Sequence, residues 1–332
     1  MAAENLKEPT VTEVAAAAGV SAATVSRVLT GRVRVSTSAR VQVHDAITRL
    51  GYVRHRAPRQ TLLNPQDSTI AAVVCEPSAR MFHDPFFSRL LTGAEQALAR
   101  HGLPLLIMSA TRATVPAATP FLTTGGVAGV LLVSAHNHNP IAISLASSRV
   151  VVRSAGRPPD GISLPFADVD NLDGARQAVE HLLLRGRRRI ATIAGPPDLP
   201  AAADRLLGWR AAMDAAGIAG PVAFGDFTSS SGAHAMAWLL DRAPQLDGVF
   251  AASDAMAIGA MQALRRAGRR VPADVAIVGF DDAPLAVHAS LTTIRQPVED
   301  LGAISAELVL AGEELRHENP VLPTELIVRA TS

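Results

Sequence analysis

The stretch Thr10-Val-Thr-Glu-Val-Ala-Ala-Ala-Ala-Gly-Val-Ser-Ala-Ala-Thr-Val-Ser-Arg-Val-Leu29 decides how the rest of the chain is read. Thr10 to Glu13 has the form of a capping box: the Thr10 hydroxyl accepts from a first-turn N–H and Glu13 reaches back to the cap. Val11, Val14, Ala15 and Ala18 then share one helical face, and Gly19 ends the helix in a left-handed turn. Ser21 caps a second helix, Ala22 to about Leu29, with Val25, Val28 and Leu29 facing inward. Two short helices joined by a tight glycine-containing turn suit helix-turn-helix geometry, whose second helix enters the major groove of DNA. A third helix follows a cap at Ser36; Val43, Ala46, Ile47 and Leu50 form its apolar face, and Gly51 stops it.

Charge points the same way. Between Val20 and Gln60 stand eight arginines and one acid, Asp45, although the whole chain of 332 residues carries only +1. A basic module on a mildly acidic body is the footprint of phosphate contact.

The remaining 270 or so residues are too many for one compact unit, so two lobes are expected. With 48% hydrophobic and 18% charged residues the chain can build a large core. Its apolar runs fall well short of the roughly 18 residues of a membrane span. Glu4 and Glu8 near the start, with no apolar run beside them, argue against a secretory signal. The single cysteine, Cys75, excludes an intrachain disulfide and reads as a buried small hydrophobe. Short β-branched runs (Ile70–Val74, Leu103–Met108, Val127–Val133, Arg149–Val152) alternate with a helical pattern over 86–100. A second series follows: helices at 171–185, 205–216, 231–242 and 254–267 among strands Arg189–Ala194, Val222–Phe224, Gly248–Ala252 and Val275–Phe280. Such alternation builds parallel sheets from βαβ units. The fold class is thus an all-α helix-turn-helix head on an α/β body of two doubly wound parallel-sheet lobes, with Gly156–Leu164 as the crossover. Ligands collect at the carboxyl ends of strands in such lobes, so the cleft between them is the default site. Position alone brings Ser253-Asp254, Asp281-Asp282 and Phe86-Phe87 there.

Val20–Leu29, Val35–Val41 and Leu50–Val53 together resemble the LacI/GalR family of bacterial transcriptional regulators, a likeness that runs through nearly the whole chain. The resemblance implies DNA contacts from Ser21, Ala22, Ala23, Thr24, Ser26, Arg27, Arg34, Tyr52, Arg59 and Leu62. Ala22 and Ala23 would occupy base-selecting positions and Arg27 would be the main base-contacting arginine, able to pair with guanine O6 and N7. It also implies domains at 8–54 (helix-turn-helix), 55–68 (hinge and linker) and 69–332 (effector binding and dimerisation), the last similar to a periplasmic sugar-binding protein. The chain is expected to cross back between lobes near Thr292–Pro297. Family hinges usually read Asn-x-x-Ala-Arg-x-Leu, and their leucine wedges into the minor groove. Here Pro58 stands for the alanine and Thr61 for the leucine, so either a hinge helix starts at about Ala57 with Leu62 as the wedge or DNA bending is weak; Arg59 and the apolar pair Leu62-Leu63 favour the first.

In the body the resemblance places Phe87 and Phe227 at stacking positions, Arg205 as a clamp, and Ser253 and Asp281 as hydrogen-bonding partners; Phe86 joins them from position. Each has a plainer alternative: Phe86 and Phe87 as core, Asp281-Asp282 as a turn, Arg205 paired with Asp204, and Trp209 as packing. Leu199 and Ala201 replace the arginine and threonine of purine-binding members, which favours a sugar or sugar derivative as effector.

No P-loop, Gly-x-Ser-x-Gly elbow or dinucleotide fingerprint is present, so no catalytic residue is assigned. His136 with His138 and Asp168 with Asp170 read as loop residues rather than metal ligands, and no cofactor is expected. Asp254 and Asp281 as a glycosidase carboxylate pair is the enzymatic alternative. The expectation is a cytoplasmic homodimer that binds a palindromic operator and is released by a sugar-like inducer. A sensory ligand-binding module without specific DNA readout is the competing one.

Overall fold

A computed structural model describes residues 11–22, 24, 25, 28, 37–50, 69–312 and 319–332. The chain separates into two units, Met1–Ala57 and Pro58–Ser332.

In the first unit a helix spans Val11–Ala18 and Gly19 follows it at φ 65°, the left-handed stop that glycine accepts without a Cβ clash. Ala22, Thr24, Val25 and Val28 are helical, and the Ser21 hydroxyl accepts from the Thr24 N–H at 3.1 Å as the cap. The third helix runs Thr37–Leu50. Val14, Ala15, Ala18, Val25, Val43 and Ala46 are buried together, with Val28 and Ile47 against them. Leu50 departs from expectation: it is 36% exposed. The 14-residue helix outruns its eight-residue neighbour, so its last turn has less to pack on.

The second unit carries two six-stranded sheets. The first lobe contains β1 (Ile70–Val74), β2 (Leu105–Ser109), β3 (Gly129–Val133), β4 (Val151–Ala155), β5 (Phe166–Val169) and β11 (Val321–Leu322), in the order β11-β5-β4-β3-β1-β2. The second contains β6 (Ile190–Ala194), β7 (Val222–Phe224), β8 (Gly248–Ala251), β9 (Ala276–Asp281), β10 (Thr292–Arg295) and β12 (Glu325–Ile327), ordered β12-β10-β9-β8-β6-β7. Among the described residues all strand pairings are parallel except β10 with β12. β1, β3 and β6 are buried at every position, as strands covered by helices on both faces must be. The edge strands β2 and β7 expose Ile107 and Phe224.

The crossover is not at Gly156–Leu164. β5 still pairs with β4 in the first lobe, and the chain changes lobes only at Asp170, whose carboxylate caps the helix Asn171–Leu184. At four residues β5 was too short to stand out from the Pro/Gly-rich run before it. The return near Thr292–Pro297 is observed: β10 lies in the second lobe, and the next helix, Val298–Ala311, packs on Pro85–Ala99 of the first. Gly302 permits that approach, because a Cβ there would collide with the Leu90 carbonyl. A third crossing, between β11 and β12, escaped the sequence reading because both strands are very short.

Candidate functional site

The carboxyl ends of both sheets face one cavity of about 760 Å³, open mouth included. All six residues expected there, Phe86, Phe87, Arg205, Phe227, Ser253 and Asp281, line it.

Arg205 is held from three sides. Its Nε donates to Asn171 Oδ1 at 2.8 Å, and its Nη1 donates to the Ala252 carbonyl at 2.7 Å and lies 3.4 Å from Asp281 Oδ1. The guanidinium also stacks 3.7 Å from the Phe280 ring centre. Arg205 is 6% exposed, and the supposed pairing with Asp204 does not form: Arg157 of the first lobe takes that carboxylate bidentately, at 2.8 and 3.1 Å. Burial lowers the Arg205 pKa and the surrounding aspartates hold it up.

Asp281 ends β9 in a positive-φ conformation. Gln296 Nε2 donates to its Oδ1 at 2.6 Å. Burial raises its pKa to about 6 against the pull of Arg205. Its neighbour Asp282 is structural, bonded to Arg295 at 2.8 Å and Arg329 at 2.6 Å. Asp254 is buried behind the site, accepting from Thr293 Oγ1 at 2.5 Å and the Ala283 N–H at 2.8 Å. It does not line the cavity, so Asp254 and Asp281 do not present paired carboxyls to it.

Ser253 caps the helix Asp254–Arg266, its hydroxyl oxygen accepting from the Met256 N–H at 3.2 Å, which leaves the O–H to donate. Phe86 and Phe87 meet edge to face with ring centres 5.4 Å apart. Phe87 is 1% exposed and belongs to the first lobe's core while forming cavity wall; Phe86 is half-buried. Phe227 has φ 67° and lies against Gly195, where any Cβ would strike its ring. Trp209 and Cys75 are core residues, and burial pushes the Cys75 thiol up to about 12.

Sequence reading missed Arg80, Ser134, Arg157, Asp168, Asn171 and Gln296, all cavity-lining. Asp168 is not the loop residue its sequence context suggests. It stands one residue before the end of β5, accepts from the Arg157 N–H at 2.9 Å and from Asn171 Nδ2 at 3.1 Å, and burial raises its pKa. The strand-end rule finds it once β5 is recognised. His136 is also more than a loop residue: its Nε2 is 3.0 Å from Glu76 Oε1 and its Nδ1 is 3.1 Å from Asp198 Oδ2. Each carboxylate favours an N–H facing it, which favours the imidazolium form. The Glu76 bond first, and then Asp198, raise its pKa.

In the head, Ser21, Ala22 and Thr24 are described, at the start of the second helix, with Ser21 and Ala22 exposed. Ala23, Ser26, Arg27, Arg34, Tyr52, Arg59 and Leu62 lie outside the described residues, as does the hinge over 55–68. Among the described residues no group of His, Cys, Asp or Glu is placed to hold a metal ion. No described helix is long and apolar enough to cross a membrane.

A helix-turn-helix head joined to a two-lobed body with a cleft between its parallel sheets defines a ligand-responsive DNA-binding regulator. The comparisons agree. Bacterial regulatory proteins of the lacI family match residues 10–55, and a periplasmic binding protein-like domain matches residues 179–332. The chain is 42% identical to the HTH-type transcriptional regulator CelR of Thermobifida fusca, over 98% of this chain and 99% of that protein. The solved CelR–cellobiose complex superposes with a TM-score of 0.76 at 40% identity, covering 98% of this chain and 100% of that one. A lac repressor dimer bound to operator and an anti-inducer gives 0.71 at 28% identity, covering 98% and 99%. The chain belongs to the LacI family and is a DNA-binding transcriptional regulator.

Proposed function

We propose that this protein is a cytoplasmic, non-enzymatic repressor that leaves a palindromic operator when a sugar binds between its lobes. The observation that carries the effector side is the convergence of Arg205, Asp281, Ser253 and the Phe86, Phe87 and Phe227 rings on one cavity. Aromatic faces cover the C–H side of a sugar ring, while carboxylate, guanidinium and hydroxyl groups pair its hydroxyls. The relatives support the class of ligand: CelR was solved with cellobiose, which makes a glucose disaccharide the first candidate. Helix-turn-helix dimers read two half-sites related by their own two-fold axis. The lac repressor assembly and the exposed Ile107 and Phe224 on the edge strands support a dimer here.

The proposed division of labour is 8–54 for DNA reading, 55–68 as hinge and 69–332 for effector binding and dimerisation. Ser21, Ala22, Ala23, Thr24, Ser26, Arg27, Arg34, Tyr52, Arg59 and Leu62 make the DNA contacts. Sugar binding changes the lobe arrangement and weakens operator binding through the hinge, with a coupling of about 1–3 kcal/mol. The test is fluorescence anisotropy against duplexes from the DNA upstream of its own gene, with scrambled controls and with cellobiose added. A preference of roughly 10³-fold or more for one palindrome, relieved by sugar, is expected. Equal weak binding to every duplex would leave only a sensory ligand-binding module.

A further inference from the structure

We propose that the cavity is selective for an uncharged sugar and rejects the same sugar carrying a phosphate or carboxylate. This rests on the reading of the cavity as a sugar-effector site and adds the charge state of the ligand. Three arginines line it, and each already faces a carboxylate: Arg80 Nη1 bonds Glu76 at 2.7 Å, Arg157 grips Asp204 through two nitrogens, and Arg205 lies 3.4 Å from Asp281. Glu76 is 4% exposed and also accepts from Ser134 Oγ and His136 Nε2, both at 3.0 Å. Arg80 thus faces, through Nη1, a carboxylate shared with two other donors, while its Nε has no partner among the described residues.

The carboxyls outnumber the cation at the clamp. Asp84, Asp168, Asp254 and Asp281 all act electrostatically on Arg205. Each of the four has its pKa raised, with burial the largest cause. An anionic ligand brought among them would meet buried carboxyls whose charge is already disfavoured, and among the described residues each lining arginine already faces a carboxylate. The same carboxyls are positioned by protein donors: Asp84 by the Phe86 N–H, Asp168 by Arg157 and Asn171, and Asp281 by Gln296. Hydroxyl groups, which donate and accept without net charge, match what remains. The step that delivers the effector to this protein accordingly leaves its hydroxyls unesterified.

The experiment is calorimetric titration of the full-length protein with cellobiose, cellobiose 6′-phosphate and the 6′-carboxylate, alongside neutral xylose- and galactose-containing disaccharides. Binding of a neutral disaccharide with at least about 100-fold weaker binding of its phosphate and carboxylate analogues is expected. D204N, which releases Arg157, should narrow the gap between the phosphate and the neutral sugar by about tenfold. A phosphate or carboxylate analogue that binds as tightly as its parent, with the parent bound, overturns the charge selectivity and leaves the sugar reading standing. Failure of every sugar, neutral and charged, sinks the sugar reading and this inference with it.

Discussion

His136 Nδ1 lies 3.1 Å from Asp198 Oδ2, tying the loop after β3 in one lobe to the loop after β6 in the other. The backbone reinforces the tie, with the Asn137 N–H donating to the Asp198 carbonyl at 2.7 Å. A second bridge, Arg157 to Asp204, crosses the same cleft. The lobes are thus joined by side chains around the cavity as well as by the three chain crossings.

The His136 bridge makes the closed arrangement pH-dependent. Its imidazolium is favoured in the folded protein, so its pKa rises above the ordinary 6.5. The stabilisation is full below about 6.5 and is lost as pH climbs through the raised value. The pair is partly exposed and worth about 0.2–1 kcal/mol, so sugar affinity should weaken by roughly 1.4- to fivefold on passing from pH 6 to pH 8.5. Asp281 titrates near 6 in the same cavity. Comparison with H136Q, which keeps Asp281, isolates the imidazole. A variant with the wild-type pH profile would show that the bridge carries no weight.

Arg205→Lys should leave operator binding in place but remove its relief by sugar. A lysine ammonium cannot bond Asn171, Ala252 and Asp281 in the geometry the planar fork reaches. Arg205→Ala strands Asp281 and should cost about 3–5 kcal/mol of stability, read as a drop in urea midpoint. Operator anisotropy with and without sugar checks the first expectation, and a fully inducible R205K would refute it.

Gly195→Ala tests the Phe227 wall. The added methyl collides with the ring, which must leave its place at the end of β6. Sugar affinity should fall about tenfold, the scale of one aromatic contact with its share of buried area. Isothermal titration reads this directly, and G195S should behave alike.

Arg27→Ala tests the head. Loss of one bidentate guanine contact should cost about 1–3 kcal/mol of operator preference, with a much smaller effect on scrambled DNA. Anisotropy at a single near-physiological salt concentration separates the two. Leu62→Ala, at the displaced wedge position, should reduce operator bending in a permuted-site gel assay; unchanged bending would remove Leu62 from the wedge role.

Cap, glycine stop and apolar face could be read locally in the head because a short helix is specified by neighbours three and four residues apart. The alternating β-branched runs revealed parallel sheets for a similar reason: β1, β3 and β6 are buried on both faces and so are apolar at every position. Six cavity-lining residues followed from strand ends and the family pattern. The tertiary structure decided what depends on pairing across long separations. It kept β5 in the first lobe, added the third crossing, matched Arg157 with Asp204 and drew His136 between Glu76 and Asp198. A strand of two to four residues has too little pattern to announce itself, and a charged side chain does not specify its partner until the backbone brings the two together. Helices, core strands and the class of protein were therefore written along the chain, whereas the charge balance of the cavity existed only after folding.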